Sequence, residues 1–274
     1  MIAPVVDLEW VRNQGDRVVL ADVRYYLDGR SGRAAYERGH LPGAIFVDVD
    51  RDLAARDAPA AEGRHPLPAA EAFAESMARL GVADHDIVVG YDDSGGVMAA
   101  RLIWMLRATG HDAALLDGGL DAYTGDLESG RSRRAPAPFS SRPWPVDRLA
   151  GLDDATAAAG NGSAVVLDAR QPERFRGDTE PLDPRAGHIP GARSLPAREN
   201  VDANGRFLPV AELRQRFAAV GVTEDAPVVS YCGSGVTACH NLLALEHAGL
   251  GVGRLYAGSW SQYAHTDRPA ATGN

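Results

Sequence analysis

The stretch RVVLADVRYY, ending at Tyr26, returns as AVVLDAR, ending at Arg170, and each is a short apolar run that closes on an acidic residue and an arginine. ERGHLPGAIFVDV is answered by RAGHIPGARSLPA, so His40, Pro42 and Gly43 correspond to His188, Pro190 and Gly191. FAESMARLGVADHDIVVGYDDSGG resembles LRQRFAAVGVTEDAPVVSYCGSGV, which sets Tyr91 against Tyr231 and Asp92 against Cys232. LLDGGL, from Leu115, parallels LYAGSW, from Leu255. An internal repeat of this size constrains the fold more than composition does: whatever one copy forms, the chain contains two of it.

Between the copies lies SGRSRRAPAPFSSRPWPV, rich in Ser, Arg and Pro and without helical or alternating periodicity, which reads as a linker. The expected organisation is an N-terminal domain over 1–132, a linker over 133–148 and a C-terminal domain over 149–274. Within each copy, short Val/Ile/Leu runs such as DIVVGY and PVVSY alternate with amphipathic stretches such as AAEAFAESMARLG and AARLIWMLRATG. Apolar strands separated by helices predict an α/β fold in which each copy has a mainly parallel central sheet flanked by helices. Ligands of such sheets gather beyond the carboxyl ends of the strands.

Composition narrows the chemistry. The 274 residues carry a formal net charge of -9, which gives no electrostatic footprint for nucleic acid, and no basic run suggests an anionic membrane. MIAPVVDLEW lacks a basic segment followed by an apolar one, and nowhere do about 18 apolar residues run together; the reading is a cytoplasmic protein with neither nucleic acid nor membrane as partner. All 28 basic residues are arginine, so a lysine Schiff base, a pyridoxal phosphate anchor and a Walker-type phosphate loop are excluded. The two cysteines, Cys232 and Cys239, make no disulfide framework, and no ligand spacing points to a metal. No cofactor is expected.

Cys232 stands where the strand PVVSY gives way to CGSGVT and a helix expected to begin near Ala238. Small residues and the two glycines, Gly233 and Gly235, let successive backbone N–H groups turn inward as an anion nest, and the helix N-terminus adds positive potential behind them. The same field favours a thiolate over a thiol and makes Cys232 a nucleophile. A buried structural cysteine beside an ordinary strand-to-helix turn is the competing reading. Phosphatases with an arginine six places after the cysteine use a similar nest, but that place holds Ala238 here, which disfavours phosphoryl transfer.

The loop CGSGVT, the paired GHLPGA and GHIPGA, and the duplication with Asp92 in place of the first cysteine together resemble the tandem-domain rhodanese family of thiosulfate and 3-mercaptopyruvate sulfurtransferases. The resemblance covers nearly the whole chain. It implies two rhodanese-like domains, a C-terminal catalytic one and an N-terminal one that has lost its cysteine. It also implies that Cys232 carries sulfur as a persulfide from a small anionic donor to a thiol or cyanide acceptor, with a thioredoxin-like reductant as a further partner. Gly233, Gly235, Val236 and Thr237 would hold the bound group through their backbone. The neutral Gly233 and Ser234 match members that use 3-mercaptopyruvate, with thiosulfate the alternative donor and a non-catalytic sulfur-carrier or interaction module the remote alternative. In RQPERFRGDTEPLDPRAGH the family pattern sets Arg174 and Arg185 as substrate arginines; either would otherwise be a solvated loop arginine. Ser234, with His65 of RHPLP and Asp50 of FVDVD from the N-terminal half, matches a proposed proton-handling set. His40 and His188 recur in both copies, one of them without a cysteine, and are read as shaping a turn. Cys239 is read as a packed side chain, and Trp260 as either lining the pocket or packing.

Overall fold

The computed structural model describes residues 1–224 and 226–273. Two compact units result. The first comprises Met1–Arg56, Pro68–Trp144 and Val201–Phe207, and the second Asp57–Leu67, Pro145–Asn200 and Leu208–Asn274. This differs from a single cut in the linker, because Asp57–Leu67 of the N-terminal half packs within the second unit and Val201–Phe207 within the first. The anchor of Asp57–Leu67 is specific: the Arg64 amide donates to Ser261 Oγ at 3.0 Å, and Gly63 sits so close to the Gly258 carbonyl that a Cβ there would lie 2.6 Å from its oxygen.

In the first unit, strands β1 (Val5–Val6), β2 (Val18–Asp22), β3 (Ile45–Phe46), β4 (Ile87–Tyr91) and β5 (Ala113–Leu116) form a sheet of order β1-β5-β4-β2-β3. In the second, β6 (Val165–Asp168), β7 (Arg193–Ser194), β8 (Val228–Tyr231) and β9 (Arg254–Leu255) form a sheet of order β7-β6-β8-β9. Among the described residues every strand pairing within these two sheets is parallel. The central β4 and β8 are buried at each position, which is why they read as unbroken apolar runs rather than alternating ones. Helices such as Ala70–Arg79, Ala100–Ala108, Val210–Ala219 and Ala238–His247 connect the strands.

The repeated motifs turn out to be the fasteners of each sheet end. Arg24 Nη2 donates to Asp22 Oδ2 at 2.7 Å and to the Gly39 carbonyl at 2.6 Å; Arg170 Nη2 does the same with Asp168 at 2.7 Å and the Gly187 carbonyl at 2.6 Å. Each buried pair thus ties a strand end to the turn that carries GHLPGA or GHIPGA, and removing one partner would leave an uncompensated buried charge at a cost of about 3–5 kcal/mol. The turns are held from the other side by tyrosines, whose hydroxyl oxygens accept the Leu41 amide on Tyr91 at 3.0 Å and the Ile189 amide on Tyr231 at 3.2 Å. His40 stacks on Tyr36 with ring centroids 3.9 Å apart and pairs its Nδ1 with the Tyr36 carbonyl, and His188 stacks on Phe175 at 3.7 Å and pairs with the Phe175 carbonyl. Both histidines shape the turn. Among the described residues no helix is long and apolar enough to cross a membrane.

Candidate functional site

Across β6 and β8, Asp168 pairs with Tyr231, so Arg170 and Cys232 leave the second sheet at the same, carboxyl, end. Cys232 is buried, with 2% of its surface exposed, yet its surroundings are polar. Its amide donates to Ser259 Oγ at 3.1 Å, and the Gly235 amide donates to Sγ at 3.1 Å. The helix Ala238–His247 begins immediately after the loop and directs its positive end toward it.

The loop carbonyls are held by neighbours. Trp260 N–H donates to the Cys232 carbonyl at 2.9 Å and Ser261 N–H to that of Gly233 at 2.8 Å; the Cys239 thiol donates to the Gly235 carbonyl at 3.3 Å. Cys239 and His240 amides take the Val236 and Thr237 carbonyls. Among the described residues the amides of Ser234, Val236 and Thr237 donate to no protein acceptor. With the carbonyls of Cys232, Gly233, Gly235, Val236 and Thr237 engaged and the amides of Ser234, Val236 and Thr237 unengaged, the loop presents N–H groups to an anion. Gly235 is required for this path: its φ is +76°, and a Cβ would lie 2.5 Å from the Ala257 carbonyl oxygen. The corresponding loop of the first unit is filled from within, since the Asp92 carboxylate accepts the amides of Ser94, Gly96, Met98 and Ala99.

Ser234, His65 and Arg174, all of the second unit, come together at the loop. Ser234 Oγ and His65 Nδ1 are 2.7 Å apart and both side chains are buried, so His65 reaches the loop as a member of the second unit rather than of an N-terminal domain. Arg174 does so too: a Cβ on Gly233 would lie 3.3 Å from its Nη1. Val236 is buried and Thr237 half-buried at the start of the helix. Asp50 lies in the first unit, exposed on the short helix Val49–Asp52, where its amide donates to Asp48 Oδ1 at 3.1 Å. Arg185, the second arginine of the family pattern, is tied to the C-terminal segment. Its Nε, Nη1 and Nη2 donate to the carbonyls of Ala264, Arg268 and Tyr263 at 3.1, 2.8 and 3.0 Å, so its planar fork braces the C-terminal segment. Trp260 packs: it is fully buried, its indole N–H donates to the Arg185 carbonyl at 2.9 Å, and the Arg170 guanidinium lies 4.8 Å over its ring.

Arg64, absent from the sequence-derived set, is the guanidinium that comes nearest the loop, with Nη2 2.9 Å from a Cβ built on Gly233. It is ion-paired with Asp183. Arg174 Nη2 reaches Glu180 Oε1 at 2.6 Å and Asp183 Oδ2 at 3.3 Å, and Arg170 Nη1 reaches Glu180 Oε2 at 3.2 Å. Burial pushes the Asp183 carboxyl above the usual carboxylate range, with Glu180 adding to the shift and Arg64, Arg174 and Arg170 opposing it. The one available sequence signal for Arg64 was its position next to His65. Among the described residues no group of three or more His, Cys, Asp or Glu is placed to hold a metal ion.

Comparison with known proteins agrees with this arrangement. The rhodanese-like domain pattern matches twice, over residues 7–126 and 152–266. The chain is 44% identical over 275 residues to a probable 3-mercaptopyruvate sulfurtransferase of Pseudomonas aeruginosa, covering 96% of this chain and 94% of that one. It is 38% identical over 281 residues to a putative thiosulfate sulfurtransferase of Mycobacterium tuberculosis, covering 100% and 97%. Among solved structures, the 3-mercaptopyruvate enzyme SseA of Escherichia coli superposes with a TM-score of 0.83 at 31% identity, over 94% of this chain and 99% of that one.

Proposed function

This chain belongs to the rhodanese family, and on that premise we propose that it is a sulfurtransferase that takes the thiol sulfur of 3-mercaptopyruvate and holds it as the outer, sulfane sulfur of a persulfide on Cys232. The observation that carries the reading is the polarity of the loop: carbonyls engaged by Trp260, Ser261, Cys239 and His240, amides of Ser234, Val236 and Thr237 unengaged, and the Gly235 amide on the sulfur. Such a frame stabilises negative charge on sulfur before and after transfer without rearrangement.

In the first half-reaction the Cys232 thiolate attacks the donor sulfur and the carbon–sulfur bond breaks. The bonding pair leaves with the carbon fragment as the enolate of pyruvate, and the outer sulfur remains on Cys232. The Ser234–His65 pair is in hydrogen-bond reach of each other and of the loop, and delivers the proton that converts the enolate to pyruvate. Arg174 and Arg64 hold the donor carboxylate. In the second half-reaction an acceptor thiolate or cyanide attacks the outer sulfur and the Cys232 thiolate departs. A thioredoxin-like dithiol in the cytoplasm is the acceptor we favour. Thiosulfate is the second reading, favoured by the guanidinium of Arg64 beside Gly233.

Cys232→Ser is expected to form no cyanide-labile sulfur and to release no pyruvate, a loss of at least about a thousandfold. Retained turnover would remove the assignment. On the parent protein, a larger kcat/KM for thiosulfate than for 3-mercaptopyruvate would reverse the order of donors.

A further inference from the structure

Three arginines and three carboxylates meet beside the loop: Arg64, Arg170 and Arg174 against Asp168, Glu180 and Asp183. Their charges cancel. The Asp183 side chain is 1% exposed, whereas those of Arg64 and Arg174 are 30% and 14% exposed, so the carboxylate lies behind and the guanidinium groups face outward. Asp183 binds both of the arginines whose tips approach Gly233. The geometry points to Asp183 as an internal carboxylate that competes with incoming anions for Arg64 and Arg174, so that this ion-paired cluster grades the charge of what reaches Cys232. The inference rests on the sulfurtransferase reading for its donors, but not for its electrostatics.

The physical reason is the linear dependence of Coulomb energy on ligand charge. A cluster of zero net charge gives a dianion such as thiosulfate little advantage over a monoanion such as 3-mercaptopyruvate. Removing the Asp183 charge leaves the cluster at plus one and favours both, the dianion twice as strongly in free energy. Removing the Arg64 charge leaves it at minus one and reverses the order. Loss of a proton-accepting charge has the same sign as acidification, and burial already favours the protonated Asp183. The groups facing that carboxyl are Arg64 from the Asp57–Leu67 segment, and Arg170, Arg174 and Glu180 from the segment after β6.

The test compares the full-length parent with Asp183→Asn, Arg64→Gln and the double variant, using two readouts. The first is kcat/KM for thiosulfate and for 3-mercaptopyruvate. The second is the rate of alkylation of Cys232 by anionic iodoacetate divided by that for neutral iodoacetamide, resolved from Cys239 by peptide mass spectrometry. Asp183→Asn is expected to raise the alkylation ratio and the 3-mercaptopyruvate value about threefold and the thiosulfate value about tenfold. Arg64→Gln lowers them at least in the same proportions, and the double variant, although it lacks one donor-binding guanidinium, returns the alkylation ratio and the thiosulfate-to-3-mercaptopyruvate ratio of kcat/KM to within about twofold of the parent. Ratios that stay fixed across the series, or ratios in the double variant further from the parent than in either single one, would overturn the role, because bracing alone gives no charge complementation. Alkylation that follows the series in a protein turning over neither donor supports the internal competitor and overturns the sulfurtransferase reading. Arg64→Gln alters a partly exposed side chain and keeps the test decisive if Asp183→Asn fails to fold.

Discussion

In the loop after β4, Asp92 gathers four backbone amides onto its own carboxylate at 2.8 to 3.0 Å, two on each oxygen. In the loop after β8, Cys232 occupies the corresponding place, and amides of Ser234, Val236 and Thr237 are left for something the chain does not supply. The backbone frames are alike down to the cap on the strand end: Leu120 N–H donates to the Asp92 carbonyl at 2.9 Å, and Trp260 N–H to the Cys232 carbonyl at 2.9 Å. The loops differ at several positions, and on the proposed reading the side chain that opens each, Asp92 or Cys232, decides whether the anion held by the ring is permanent or exchangeable. Asp92 is the resident version of the ligand that Cys232 awaits.

The contrast breaks most severely at Asp92. Asp92→Asn turns an NH2 group toward two of the four amides and removes the charge from the other two bonds, which is expected to cost about 3–5 kcal/mol in denaturant unfolding. A loss below about 0.5 kcal/mol would show that the first ring does not depend on its anion.

A smaller effect separates the glycines. Gly235→Ala places a Cβ 2.5 Å from backbone oxygen at φ +76°, whereas Gly96→Ala, at φ +82°, meets only the Leu115 side chain at 3.4 Å. The expected costs are about 3 kcal/mol and about 1 kcal/mol, and only the first should also reduce persulfide formation. Equal losses in both assays would mean that the second loop is no more tightly framed than the first.

The smallest effect is on pH. Burial holds His188 below the ordinary histidine value, and His111 likewise. The unfolded chain then binds more protons than the folded one as pH falls below about 6.5, so stability present above that pH is lost on acidification toward the folded values. His188→Gln is expected to flatten the pH dependence of the urea midpoint between pH 8 and pH 5.5 by less than about 1 kcal/mol. An unchanged slope would remove His188 from this account.

How far the sequence foretold this depends on the kind of interaction. The duplicated strands, the loop at Cys232 and the turns at His40 and His188 were readable because each is local: apolar runs, glycines and a strand-to-helix junction lie within a few residues of one another. Arg174 and the Ser234–His65 pair came from family pattern, and the structure brings them to the loop. Arg185 came from the same pattern, and the structure adds what sequence could not show, that its guanidinium donates to the carbonyls of Tyr263, Ala264 and Arg268. Arg64 and Asp183 were unreadable for a like reason. Their pairing joins segments far apart in the chain, and Asp57–Leu67 was assigned to the half in which it is encoded rather than the unit in which it folds.

The carboxylate lodged in the first ring fixes a stoichiometry. An occupant delivered by the polypeptide itself can neither be displaced by a donor nor passed on, and the Cys239 thiol is buried and bound to the Gly235 carbonyl. On the proposed reading each chain therefore ferries one sulfur atom at a time, and the repeat has widened the scaffold without doubling its cargo.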